Sequence, residues 1–319
     1  MSRLLPVAVL LLFASGAEAQ GFDTFNQSSL ARSAVLPTMA QGAVIASGST
    51  QNSATINWTN ESYQGRSSRE TLLIDGETLR LAALYRQGFG KGFEWSIEVP
   101  LMFTGGGVQD SAIESWHSAF GLGNGNRGLR PQDDYRMRYV RDGVTVLDLQ
   151  KGDSGLGDVR LGAGWSLSKH WTLRALAQFP TGSKKRLTGG HTGMALWTDA
   201  TLPLGASGRA SITFSAGGSV AEQAGPLAAQ QQSAVALGGV LLTVPIYGAL
   251  DGLVQLNANT KLYEGSSLAP LGRVSQPLMV GLRWPWRTLR FDLAIIEDAN
   301  VNASPDFGLL LGVRVLAPQ

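Results

Sequence analysis

Cysteine is absent from all 319 residues, which excludes disulfides and thiolate metal sites. Charge is scarce as well: Asp, Glu, Lys and Arg make up 16% of the chain, against about 25% in an ordinary water-soluble domain. That deficit fits a protein whose lateral surface faces lipid. Beyond the N-terminus no run approaches the roughly 18 to 20 apolar residues of a spanning helix. The most continuous stretches, residues 234–242 and 308–315, are strand-sized and broken by glycine. The formal charge is only +2 with a pI near 9.0, and Lys184-Lys185-Arg186 is the one basic block, so nucleic acid is not an expected partner. Glycine-rich phosphate loops, His-Glu-x-x-His and calcium-loop spacings are missing too. No cofactor and no metal are expected.

What is present is a period of two. From Val159 the apolar residues Leu161, Ala163, Trp165 and Leu167 alternate with Asp158, Arg160, Gly162 and Gly164. After Ser168-Lys169-His170 the pattern restarts with Trp171, Leu173, Ala175, Ala177 and Phe179, against Thr172, Arg174, Leu176 and Gln178. Two such runs with almost nothing between them predict an antiparallel hairpin. The same rule recurs. Leu79, Leu81, Ala83 and Tyr85 oppose Arg80 and Arg86, and Trp95, Ile97 and Val99 oppose Glu94 and Glu98. Near the C-terminus Leu289, Phe291, Leu293 and Ile295 oppose Arg290 and Asp292. Ala54, Ile56 and Trp58 alternate with Thr55, Asn57 and Thr59 without any charge.

Residues 1–19 are expected to be a secretory signal peptide: Arg3, an apolar centre over residues 4–13, and the small-x-small step Ala17-Glu18-Ala19. Residues 20–50, with Pro37, are expected to form either a periplasmic lead segment or a plug into the lower barrel. Residues 51–316 follow as the barrel. Twelve strand candidates are separated by connections that are alternately long and short. Polar and mostly long loops begin at Glu61, Thr104, Thr181, Ala221, Thr260 and Glu297; short turns lie near Gly88, Ser168, Pro203, Pro245 and Pro285. Outer-membrane barrels alternate in this way, with long loops outside and short turns in the periplasm. The expected fold is therefore all-β: a closed antiparallel transmembrane β-barrel of about twelve strands. Residues 104–157 form one long extracellular insertion within it, with a short amphipathic helix at Ser111 to Phe120 and a hairpin across Asp142-Gly143. If that hairpin crosses the bilayer instead, the count rises by two.

Hydrocarbon requires closure, because an unpaired peptide group there costs several kcal/mol. The charged faces then turn inward. The candidate lumen-lining residues are Arg80, Arg86, Glu94, Glu98, Asp158, Arg160, Arg174, Arg290 and Asp292. Both signs occur, so they serve either a polar path for a small hydrophilic or anionic solute or a ladder of pairs that fills the interior. Trp95, Trp165, Trp171, Trp284 and Trp286 are candidates for the interfacial girdles. Outer-membrane lipids and the barrel-insertion machinery are the expected partners, with an unidentified solute or surface partner.

Three function classes follow: a passive or gated channel, a structural or binding barrel with a surface recognition loop, and a lipid-modifying enzyme. The last would need a Ser–His pair at the outer rim. His170 falls in a turn, while His117 near Ser115 and Ser118, and His191 above Asp199, are loose proximities that do not make a triad. No catalytic residue is assigned.

Several motifs point to one family. They are Phe25-Asn26-Gln27 with Leu36-Pro37, Ile74-Asp75-Gly76-Glu77-Thr78, Glu98-Val99-Pro100-Leu101, Gly155-Leu156-Gly157-Asp158, Pro180-Thr181-Gly182 and Ser304-Pro305-Asp306. The most specific is Ile113-Glu114-Ser115-Trp116-His117-Ser118-Ala119-Phe120-Gly121-Leu122 with Asn124-Gly125-Asn126-Arg127. Through most of its length the chain resembles the bacterial family DUF3187 of outer-membrane barrels. The resemblance implies location and fold, draws attention to Trp116, His117, Asn124 and Arg127 in the surface loop, and names no substrate. Barrels of this type usually end on an aromatic residue, whereas this chain ends Val315-Leu316-Ala317-Pro318-Gln319.

Overall fold

The computed structural model describes residues 20–121, 127–205, 209–300 and 303–315. The signal peptide, Asn124, the final four residues and the side chain of Phe120 lie outside the described residues. Fifteen strands follow in order: β1 (Thr50–Arg66), β2 (Glu70–Phe89), β3 (Phe93–Gly105), β4 (Arg136–Arg141), β5 (Val144–Leu149), β6 (Ser154–Leu156), β7 (Val159–Ser166) and β8 (Trp171–Phe179), then β9 (Gly193–Leu204), β10 (Ala210–Ala221), β11 (Ala234–Tyr247), β12 (Leu250–Asn259), β13 (Pro277–Trp286), β14 (Leu289–Asp298) and β15 (Phe307–Val315).

Twelve of them, β1 to β3 and β7 to β15, form a closed antiparallel ring in which each strand pairs with its neighbours. Closure is made by β1 on β15, from Asn52 opposite Val315 to Asn60 opposite Phe307. The hairpin that carries the clearest alternation is β7–β8, in register from Val159–Phe179 to Ser166–Thr172. Large apolar side chains stand exposed on the outer wall, among them Leu161, Leu196, Phe214, Val254 and Leu293, which gives the lipid-facing band. Trp95, Trp165, Trp171 and Trp286 are exposed on that wall, and Trp284 is half-buried and stacked on Phe291 with ring centroids 5.5 Å apart. All five lie close to the short turns. Among the described residues no helix is long and apolar enough to cross a membrane; strands do the crossing.

The fold departs from expectation at the long-loop end. The polar stretch from Glu61 to Glu70 is not a loop, because β1 and β2 stay paired out to Arg66 opposite Thr71. Here β2 leaves β3 and pairs instead with β4 over residues 70–75, and β5 completes a small sheet above the wall. The 136–149 hairpin therefore lies outside the ring. This extension buries Leu72 and Ile74 with Met137, Tyr139 and Leu147. Its alternation was masked by the polar residues on the other face. The turns expected at Pro203, Pro245 and Pro285 also come later, since each proline sits inside the last pairs of its strand; the fixed φ of proline is tolerated at strand ends.

The insertion helix α1 (Asp110–Phe120) stops at Gly121, whose left-handed φ of 68° lets its N–H reach the His117 carbonyl. Ile113 is buried, and the Trp116 ring lies 6.3 Å from Phe307. Arg127 ties the insertion to the rim through Asp110, Asn60 and Asp306.

Candidate functional site

Residues 20–47 make neither a strand nor a long helix. A short 3-10 turn (Ser29–Ser33) is followed by Pro37, and Ala40 and Gly42 adopt φ of 54° and 74°. Such a segment cannot satisfy its own peptide groups, and buried N–H and C=O groups must find partners. Here they find them on the inward side chains of the barrel wall.

The ascending limb begins at the short-turn end. Gln20 and Gly21 carbonyls accept from Arg283, and the Gln20 side chain accepts from Arg314 Nη1 (2.9 Å) and Arg290 Nη2 (3.3 Å). Asp292 holds Arg283 in a bidentate pair, 2.6 and 2.8 Å. Phe22 N–H donates to Gln255 Oε1 (2.8 Å), and the Asp23 carboxylate meets Arg314 at 3.1 Å. Phe25 lies between two guanidinium groups, 5.1 Å from Arg80 and 4.2 Å from Arg160.

At the apex, near the long loops, Glu61 accepts from Ser28 Oγ and Ser29 N–H at 2.7 and 2.8 Å. Leu30, Val35 and Leu36 pack there against Leu72, Met137, Leu262, Tyr263 and Leu271. The extended β1–β2 sheet and the loops thus cover the outer mouth. In that cover Asp75 is pushed up to about 6 by burial, although Arg130 Nε lies 2.5 Å from its carboxylate.

The descending limb returns to the short turns. Its Leu36 carbonyl accepts from Arg160 (3.2 Å), Ala40 and Gln41 amides donate to Asp199 (3.2 and 3.1 Å), and the Gly42 carbonyl accepts from Arg174 (2.8 Å). Ile45 N–H donates to Glu94 Oε2 at 2.8 Å. Those wall groups also form a chain of their own: Arg86 and Arg174 each meet Glu94 Oε1 at 2.6 Å, and Arg174 meets Asp199 at 3.1 Å. Ser47 then bridges to Gly88 at the turn end of β2. Both ends of the segment therefore stand at the short-turn end, and Gly21 N–H bonds the Ala40 carbonyl across the two limbs.

The candidates thus fall in different places. Arg80, Arg86, Glu94, Arg160, Arg174, Arg290 and Asp292 are buried around the segment, and Glu98 is half-buried against Arg80 and Arg160. Asp158 stands apart at the rim. It accepts the amides of Gly182, Gly190 and His191 and the Gln178 side chain, which anchors the loop between β8 and β9. Arg283, Arg314 and Asp199 were not among the candidates, yet they hold the segment most directly. Extending the same alternation into β13, β15 and β9 would have found them.

Among the described residues no Ser–His pair assembles. Ser115 Oγ donates to the Ser111 carbonyl within its own helix, His117 and His191 are buried, and Asp199 is bound by Arg174. Among the described residues no cluster of His, Asp or Glu could hold a metal ion.

A family model described as a protein of unknown function, DUF3187, matches residues 2–315. No curated protein matches the chain. Among solved structures, an outer membrane channel from Pseudomonas putida F1 is similar with a TM-score of 0.54 at 10% identity, covering 86% of this chain and 97% of that one. The toluene transporter TbuX of Ralstonia pickettii is similar with a TM-score of 0.44 at 8% identity, covering 93% and 99%. At 10% identity the likeness to the Pseudomonas channel concerns the fold alone.

Proposed function

We propose, from the premise that this chain belongs to the DUF3187 family, that it is a gated outer-membrane channel for a small polar, preferentially anionic, solute, closed in this state by residues 20–47. The barrel is a multi-pass protein of the outer membrane, surrounded by its lipids and inserted by the barrel-assembly machinery. The observation that carries the reading is the position of both segment ends at the periplasmic turns, with the covered apex between them. A segment that enters and leaves by one mouth can be withdrawn without threading, and its polar contacts with the wall are ones that water or a solute can replace.

The preference for anions follows from what withdrawal leaves behind. Below Glu61 the inward arginines are Arg80, Arg86, Arg160, Arg174, Arg283, Arg290 and Arg314; the carboxylates facing them are Glu94, Glu98, Asp199 and Asp292. The backbone carbonyls that now occupy Arg160, Arg174 and Arg283 would be gone. A lumen with surplus arginine favours anions, as rings of basic side chains do in anion pores. The fold of the Pseudomonas channel supports the class and no particular solute. The reading is a non-enzymatic one.

Planar-bilayer recording tests it. Protein lacking residues 21–48 should conduct with anion selectivity, while the full chain stays mostly silent. A folded deletion variant that carries no current would refute the channel.

A further inference from the structure

The outer wall carries a concavity that the channel reading does not use. It runs at one height across five strands, β7 to β11, just below the long loops, with a volume of about 820 Å³. That volume lies within the ~300–1,000 Å³ of pockets that take a small ligand. Its outward floor is small: Ala163, Ala175, Ala177, Gly218, Ala234 and Ala236. Met194, Leu196 and Val220 stand exposed along it. The depression exists because alanine and glycine at these outward positions add almost no side chain to the wall. A convex barrel facing fluid hydrocarbon has no need of such a depression.

Directly above the groove, the loop joining β8 to β9 carries the chain's one basic block. Lys184 pairs with Glu222 at 2.9 Å and Arg186 with Asp153 at 2.6 Å, both at the surface. Lys185 is exposed, with no ion pair among the described residues. Asp158 holds this loop through three backbone amides, so the cations are presented on a fixed platform at the outer rim. A rim whose surplus cation, Lys185, stands over an apolar groove is complementary to an amphiphile with a negative head and hydrocarbon tails.

We propose that this groove and the Lys184–Arg186 rim together bind one acylated, phosphorylated lipid of the outer leaflet. Its acyl chains lie across the floor of small residues, and its phosphate groups meet Lys185 and the flanking cations. Each basic group near an anionic surface contributes about fivefold in affinity. Neutralising two of them should weaken binding about 25-fold, while filling the floor should abolish it.

The test uses full-length protein in detergent with diphosphoryl lipid A as the probe, and its dephosphorylated form as the control, read by native mass spectrometry. Wild-type protein is expected to retain one phosphorylated lipid, and the dephosphorylated form about tenfold less well. Lys185→Gln with Arg186→Gln, on an exposed loop where folding is not at risk, should reduce retention about 25-fold. Ala175→Leu with Ala236→Leu should remove it, with heat-modifiable gel migration confirming a folded barrel. Equal retention of both lipids, or undiminished retention in either double variant, would overturn the proposal. So would a second copy of the chain held at the groove in place of lipid. Conductance of the protein lacking residues 21–48 does not depend on this site, so failure here leaves the channel reading standing.

Discussion

The two halves of the inner wall are built differently. On β2, β3, β7, β8 and β9, and at the lower ends of β13 to β15, inward positions carry arginines and carboxylates that grip the lumen segment. On β10, β11 and β12 the buried inward positions beside the segment include Ser211, Thr213 and Ser215, then Leu241 and Thr243, then Leu253 and Gln255, all uncharged, and the half-buried Asp251 at the turn end of β12 pairs with Arg209 rather than with the segment. One half holds the segment by paired charges as well as hydrogen bonds; the other gives only neutral hydrogen bonds, from Phe22 N–H to Gln255 and Ala40 N–H to Ser215, beside an apolar surface where Phe22 and Ala40 pack with Leu241 and Leu253. Burying charge is costly unless every group is partnered. The charged half is therefore stable only while the segment, or something that replaces it, satisfies it. Occupancy of the lumen is written most strongly into that half.

The sharpest way to break this asymmetry is to remove its hub. Arg174 contacts Glu94, Asp199, Gln41 and the Gly42 carbonyl. Arg174→Gln leaves two buried carboxylates short of a partner, a loss of about 3–5 kcal/mol. It is expected to raise hydrogen exchange at the amides of residues 40–45 and to produce frequent channel openings. A matching change on the neutral half should behave otherwise. Leu241→Ala, at a fully buried position, should lower barrel stability by about 2–4 kcal/mol through the cavity it leaves, measured by denaturant unfolding. The segment should stay seated and the current silent.

A smaller effect concerns the cover above both halves. Asp75 has a folded-state pKa near 6 against 3.8 for the ordinary group. The folded form binds the proton more tightly, so its contribution to cover stability is complete below about pH 3.8 and is lost as pH rises through 6. Exchange at residues 70–75, corrected for its intrinsic rate, should therefore be slower at pH 4 than at pH 7. Asp75→Asn should flatten the difference.

The sequence made the wall legible because its cause is local. A period of two in β7 and β8 assigns faces residue by residue, and alternating connection lengths orient the barrel. What stayed hidden has non-local causes. Leu72 and Ile74 look like a broken run until β4, which begins more than 60 residues later, covers them. Asn26 and Ser275, or Phe22 and Gln255, are adjacent in space and more than 200 residues apart in sequence, so no periodicity links them. Arg283 and Arg314 follow the legible rule, but their importance comes from Gln20 and Gly21, which have no pattern to read.

The central claim is that the lumen segment closes the channel. A Cβ at Gly239 would lie 3.4 Å from the Met39 Cβ, close to the ~3.5–4.5 Å of bridged cysteines, and the chain has no cysteine of its own to interfere. Met39→Cys with Gly239→Cys can therefore fasten the segment to β11 in the Arg174→Gln background. Single-channel recording of that protein should show silence when the bridge is formed and sustained openings after a reductant is added. Current flowing through the fully bridged protein would contradict the account.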